Sequence, residues 1–174
     1  TKLSRLNLDH NRIEFIEQDV FRDLHELEEI YLQNNRLGKL RVNYFAGLDK
    51  LKLLMLHSNE IDFIEPGAFK GLFMISELVL SNNRLELISG EYFLGLENVK
   101  TLVLRNNFIK IIEREAFLSL LCIIIIMDVN KIRYVKERAF SDNHFVLNID
   151  LNNQEIVHID SLAFSNMNAL VSLS

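Results

Sequence analysis

Apolar residues recur along this chain with a spacing that is neither a helical stripe nor a simple alternation. Between residues 51 and 72 they fall at Leu51, Leu54, Leu56, Ile61, Ile64, Phe69 and Leu72, with Asn59 set among them. Equivalent positions are apolar 24 residues earlier and 24 residues later. Self-similarity at a short fixed period indicates a solenoid, in which stacked repeats bury one continuous core.

We read residues 1–174 as a single array of such repeats. They begin near residues 3, 27, 51, 75, 99, 122 and 146, and a partial eighth begins near residue 170. Starting the sixth repeat at Ile123 would turn Asp128 inward, and burying an unpaired carboxylate costs several kcal/mol. The sixth repeat is therefore placed at Cys122, which makes the fifth repeat 23 residues long.

Each repeat predicts a short strand followed by a returning segment, which we call the arm. The L-x-L core of each first half favours a strand, because alternate side chains then point to one face. Strands of successive repeats would lie about 4.8 Å apart in one parallel sheet. We therefore predict a curved, right-handed α/β solenoid, with the sheet on the concave face and irregular or short-helical arms on the convex face. A continuous stack of seven rings is expected behind the sheet, formed by Phe21, Phe45, Phe69, Phe93, Phe117, Phe140 and Phe164.

A polar residue marks the end of each strand. Six repeats carry an asparagine there: Asn11, Asn35, Asn59, Asn83, Asn107 and Asn130. An amide side chain can bond the backbone groups that lose sheet partners at this turn, so we predict a structural asparagine ladder and no ligand site. Gln154 departs from the ladder and Asn143 replaces an apolar residue, and both predict a looser C-terminal end.

The pattern L-x-x-L-x-L-x-x-N-x-I-x-x-I-x-x-x-x-F-x-x-L resembles the leucine-rich repeat family in its 24-residue "typical" form. Repeats of this form with a phenylalanine are similar to those of Toll-like receptors, chaoptin and Slit-like proteins. The resemblance implies a secreted or cell-surface protein, in adhesion or as a receptor ectodomain, that binds another macromolecule. Such ectodomains usually end in cysteine-rich caps, whereas this chain has one cysteine. We therefore expect an internal part of a longer array, with membrane contact only through segments outside it.

Charge and hydropathy narrow the classes of partner. The formal net charge is −5, so no basic field favours nucleic acid, and we predict no nucleic-acid partner. The longest apolar run covers residues 120–127. A helix across a bilayer needs about 20 residues, so this run is too short to be a membrane helix.

Strand side chains that do not point inward would form the concave surface. Its middle column contains five neighbouring large apolar or aromatic residues, and an apolar stripe with a polar rim is typical of a protein-interaction site. The predicted protein-binding residues are Tyr31, Leu53, Met55, His57, Glu77, Val79, Val103, Arg105, Ile124 and Ile126. Two alternatives remain open: β-branched residues favour strands in any case, or another part of the protein covers this face.

Catalytic and metal chemistry find little support in the residues. His57 and Ser81 share a column, but the other neighbour of His57 is Gln33, which is no carboxylate to orient a base. The five histidines are spread without ligand spacing, so we expect no metal, no cofactor and no enzyme. Cys122 falls at an inward position and is expected to be a small buried hydrophobe.

The leading hypothesis is thus a protein-recognition module with a protein ligand or receptor partner. The alternatives are a structural spacer or dimerisation segment, with a homodimer possible, and an intracellular leucine-rich repeat scaffold.

Overall fold

The computed structural model describes residues 2–174 and consists almost entirely of short strands and turns. The strands are β1 (Arg5–Asn7), β2 (Glu29–Tyr31), β3 (Lys39–Leu40), β4 (Leu53–Met55), β5 (Phe63–Ile64), β6 (Glu77–Val79), β7 (Leu87–Ile88), β8 (Thr101–Val103), β9 (Ile111–Ile112), β10 (Ile124–Ile126), β11 (Tyr134–Val135), β12 (Asn148–Asp150), β13 (His158–Ile159) and β14 (Ser172–Leu173).

The main sheet contains the first-half strands of all the repeats. Its order is β1-β2-β4-β6-β8-β10-β12-β14, and every neighbouring pair is parallel. Aligned residues lie 24 positions apart, except between β8 and β10, where Leu102 pairs with Ile125 at a step of 23. The predicted parallel-sheet solenoid is confirmed, and we keep the term concave face for the side of this sheet that faces away from the core.

The core lies between the main sheet and the arms. The middle residue of each central strand points into it, and Leu54, Leu78 and Leu102 are fully buried. Arm residues such as Ile64 and Ile88 close it from the other side, also without solvent contact. Full burial of an aliphatic side chain contributes roughly 1.5–3 kcal/mol, so each repeat is stabilised mainly by this shared interior.

The arms are turns joined by three small sheets that the repeat pattern did not predict. These two-stranded parallel sheets pair β3 with β5, β7 with β9 and β11 with β13. Within the described residues the arms contain one helix, a 3-10 turn at Gly90–Phe93, where the Glu91 amide donates to Ser89 Oγ at 3.3 Å. No helix in residues 2–174 has the length and apolarity to cross a membrane.

The phenylalanines behind the sheet stack in two groups, so the prediction of one continuous stack is wrong. Phe45 lies on Phe69 with ring centroids 6.1 Å apart. A second stack runs through Phe93, Phe117, Phe140 and Phe164, with centroid distances of 5.9, 5.2 and 5.2 Å. Among the described aromatic pairs none joins Phe69 to Phe93 or Phe21 to Phe45. The break before Phe93 coincides with the 3-10 turn that ends at this residue.

Candidate functional site

The ladder of the main sheet brings the predicted apolar residues into one surface. Tyr31 pairs with Met55, Met55 with Val79, Val79 with Val103, and Val103 with Ile126, all in parallel register. Leu53 and Ile124 lie two residues earlier on β4 and β10 and therefore flank this column on the same face. We call these seven residues the apolar stripe.

The apolar stripe is less exposed than the sequence indicated. Six of its members are half-buried, and Val79 is only 8% exposed. Val79 nevertheless lies outside the core cluster, to which its chain neighbours Leu78 and Leu80 belong. Its burial therefore comes from its neighbours along the ladder, Met55 and Val103. The stripe is therefore a nearly continuous apolar surface from which no side chain projects far.

The N-terminal end of the stripe is held by an ion pair. Arg5 Nε lies 2.7 Å from Glu29 Oε2, and the Tyr31 hydroxyl donates to the same carboxylate at 2.8 Å. The hydrogen bond from Arg5 lowers the pKa of Glu29, and the bond to Glu29 raises the pKa of Tyr31. The Arg5 guanidinium carbon also lies 5.8 Å from the centre of the Tyr31 ring. Tyr31 therefore presents a fixed ring to the concave face.

Asp128 is a feature that the sequence pattern did not reveal. It lies on the concave side, where the register predicts it, yet only 6% of the residue is exposed. Its Oδ2 lies 3.3 Å from Arg105 Nε, whereas its Oδ1 is buried and has no hydrogen-bond partner in the described part of the chain. Arg105 itself stays exposed, so Asp128 contacts the Nε end of a guanidinium group that extends over the concave face.

The polar column next to the stripe offers no catalytic pairing. His57 Nδ1 lies 3.3 Å from Ser58 Oγ and not against Ser81, which is buried, and burial lowers the pKa of His57. Glu77 lies exposed beside the stripe. Residues 2–174 contain no group of three or more His, Cys, Asp or Glu side chains able to hold a metal ion. The expectations of no enzyme and no metal stay predictions.

Cys122 is fully buried, and its burial raises the pKa of the thiol to about 12. A thiol that stays protonated at neutral pH is a poor nucleophile.

The turn amides connect each repeat to its neighbours. Asn83 Nδ2 donates to the carbonyls of Leu56 and Leu80, both at 3.0 Å, and its Oδ1 accepts from the Ile61 amide at 3.0 Å. Asn35, Asn59, Asn107 and Asn130 make the same set of bonds. Asn11 bonds only the carbonyls of its own turn, Leu8 and Asp9.

The two residues that depart from the pattern at the C-terminal end keep part of this bonding. Gln154 Oε1 accepts from the Ile132 amide at 3.2 Å and its Nε2 donates to Met127 at 2.7 Å, as the asparagines do. The longer side chain thus spans the same gap. Asn143 is 3% exposed and donates to the Phe117 carbonyl at 2.8 Å, although its Oδ1 is unpaired within the described residues. Gln154 makes no bond to the Leu151 carbonyl within the described residues, so both positions are bonded less completely than the asparagine turns.

Several strongly exposed apolar side chains lie on the arms. They include Phe15 at 64%, Val157 at 63% and Phe73 at 59% exposed. Phe63 and Phe108 line a shallow cavity of about 630 Å³ together with two cations and two carboxylates, Lys39, Arg84, Asp62 and Glu86. The repeat pattern marks the inward positions of the arms only, so it gives no prediction of this surface.

Solved structures share this fold closely. The structure of the TLR13–ssRNA13 complex matches with a TM-score of 0.94 at 24% identity and covers 100% of this chain and 25% of that one. The Toll–Spatzle complex of Drosophila matches with a TM-score of 0.85 at 23% identity over 96% of this chain and 22% of that one. The LRIM1/APL1C complex gives 0.73 at 21% identity, covering 90% and 28%. At these identities the likeness shows the fold, and this chain spans about a quarter of these proteins.

No curated protein sequence matches the chain. A family model described as "Leucine rich repeat" matches residues 1–41, 25–85 and 73–123, which together cover more than half of the sequence. With the asparagine turns and the parallel ladder of the structure, this match establishes the family. The chain belongs to the leucine rich repeat family.

Proposed function

We propose that this chain is a non-catalytic protein-recognition module of a secreted or cell-surface protein, and that it binds its partner through the concave face. The observation that carries the proposal is the apolar stripe, which runs without interruption over five neighbouring strands from β2 to β10. Five strands at about 4.8 Å make a surface roughly 20 Å long, the scale of a modest interface core.

The chemistry of the stripe suits a protein partner. Tyr31 supplies a ring that Glu29 already orients, so little side-chain entropy remains to be lost on binding. Met55 is flexible and can adapt to the shape of a partner. Both residues are half-buried, which leaves part of their surface free for contact.

The structural neighbours support a macromolecular partner without choosing its class. Two of the complexes named above are formed between proteins, Toll with Spatzle and LRIM1 with APL1C, while TLR13 is seen with ssRNA13. Our expectation of no nucleic-acid partner therefore rests on the charge of this chain alone and gains no support from its neighbours.

The test is a binding screen with matched variants. The chain is displayed as a tagged bait against a panel of secreted proteins and ectodomains, and affinities are measured for wild type and for Tyr31→Asp/Met55→Asp. We expect the double variant to lose at least about 30-fold in affinity for any partner found, because a carboxylate in a desolvated interface core is unpaired. Circular dichroism checks that the variant is folded.

The control variant is Val157→Asp, which places the same charge at an exposed position on an arm. If Val157→Asp abolishes binding and the concave variant does not, the binding surface lies on the arms. Sedimentation of the chain alone tests a second copy as the partner, and a fluorescent single-stranded RNA oligonucleotide tests nucleic acid. Labelling of intact cells with an antibody to the chain tests the proposed location.

A further inference from the structure

The concave face is strongly acidic for its size. The three outward positions of the seven strands carry the following charged residues: Arg5, Asp9, Glu29, Glu77, Arg105, Asp128 and Asp150. Two arginines and five carboxylates give these 21 positions a formal charge of −3, out of −5 for the whole chain. His57 is counted as neutral in these charges, and burial lowers its pKa.

Both arginines are already paired with carboxylates of the next repeat. Arg5 pairs with Glu29 at 2.7 Å and Arg105 with Asp128 at 3.3 Å. On the adjoining rim Lys52 pairs with Glu28 at 2.8 Å. Lys100, which precedes β8, takes part in no ion pair within the described residues. The remaining negative charge therefore belongs to Asp9, Glu77 and Asp150.

Glu77 and Asp150 lie against opposite ends of the C-terminal part of the apolar stripe. Glu77 pairs in register with Leu53 and Thr101, and Asp150 continues the middle column directly after Ile126. Neither carboxylate takes part in an ion pair in residues 2–174. Asp150 accepts only from the Asn152 amide at 2.9 Å and from Ser174 Oγ at 3.4 Å. Three strand steps separate β6 from β12, which places the two charges roughly 15 Å apart.

We infer that the occupant of the concave face is a basic protein segment, with two cationic side chains placed over Glu77 and Asp150 and apolar side chains between them over Val103 and Ile126. An extended segment covers this distance with about four to five residues. The inference rests on the proposed function, to which it adds the charge of the partner. An excess of carboxylates repels phosphates, so the same argument disfavours nucleic acid on this face.

A display library of random 12-residue peptides, selected on the immobilised chain, is the probe. We expect the enriched peptides to combine apolar residues with at least two Lys or Arg. Enriched peptides are then synthesised, and their affinities are measured by fluorescence anisotropy. The concave charge variant is Glu77→Gln/Asp150→Asn, which keeps size and hydrogen bonding. Its control is Glu113→Gln/Glu137→Gln, which removes two exposed charges from the arms.

An exposed ion pair contributes a few-fold in affinity, so we expect the concave charge variant to bind the basic peptides about tenfold more weakly. The arm variant should stay within about twofold, and added salt should remove the difference between the two. Enriched peptides without a cationic excess, or basic peptides that bind both variants equally, would overturn the inference. The variant Val103→Asn, at a stripe residue that the inferred segment covers, separates the two proposals. Neutral peptides that lose binding in Val103→Asn uphold the stripe and reject the charge preference. A selection without any Val103-dependent peptide counts against both.

Discussion

At five turns a buried asparagine bonds to backbone groups of its own repeat and of the repeat before it. In Asn83→Ala the Ile61 amide loses its partner in a place where water has little access, and the Leu56 carbonyl keeps only the bond that Asn59 donates. An unsatisfied buried backbone group costs about 1–3 kcal/mol, so we expect Asn83→Ala to reduce the free energy of unfolding by about 2–3 kcal/mol. Urea denaturation followed by circular dichroism measures the change.

The matched control is Asn152→Ala. Asn152 is exposed and its side chain makes no hydrogen bond among those described, so its removal should change stability by less than about 0.5 kcal/mol. Equal losses in the two variants would mean that the ladder contributes no more than any polar surface residue.

The face on which a side chain lies was predictable, because the repeat dictates its direction. The contacts between two side chains were not predictable. Alternation along L-x-L places Tyr31 and Met55 on the concave face, and the structure agrees. The contact of Asp128 with Arg105 depends on the conformation of the long Arg105 side chain, and a repeat pattern carries no information on that. Gln154 shows the reverse error, because a change of residue type suggested a lost bond that a longer side chain still makes.

At the scale of the arm, the glycines at one repeated position differ in their surroundings. Gly47 and Gly71 both have positive φ, at 84° and 94°. A Cβ on Gly47 would lie 2.2 Å from the Arg22 carbonyl oxygen of the preceding arm, whereas a Cβ on Gly71 meets nothing within 4 Å. We expect Gly71→Ala to cost about 1 kcal/mol through its backbone conformation alone. Gly47→Ala should cost about 3–4 kcal/mol, because two arms must also move apart.

Thermal unfolding of the two alanine variants compares them directly, with Gly67→Ala as a third case that has positive φ and open space. Similar melting temperatures for Gly47→Ala and Gly71→Ala would show that the arms separate at little cost.

Strands were predictable at this scale because L-x-L recurs, and the arms were not. A two-residue strand such as β5 or β9 is too short to show a period of two, so the three arm sheets left no trace in the pattern. The 3-10 turn at Gly90–Phe93 likewise replaces an ordinary turn without a change in spacing, and it accompanies the gap in the phenylalanine stack.

The molecule as a whole is a line of repeats in which each strand of the main sheet touches only the strands before and after it. This was predictable from the period, since a solenoid has no contacts between distant repeats. The partner was not, because it depends on concave side chains that the repeat leaves free to vary. Such a line should unfold from its ends, since a terminal repeat is supported on one side only.

We therefore expect the same truncation to act differently at the centre and near the end of the array. Leu102 on β8 is fully buried between β6 and β10, and Leu102→Ala should lower the free energy of unfolding by about 3 kcal/mol. Hydrogen exchange should then accelerate in strands on both sides of β8. Leu151, which follows β12, is 8% exposed, and Leu151→Ala should cost less and accelerate exchange mainly in β12 and β14. Native-state hydrogen exchange resolved by mass spectrometry measures both patterns. A uniform acceleration over all strands in Leu151→Ala would contradict the expectation, because it would show that the array opens only as a single unit.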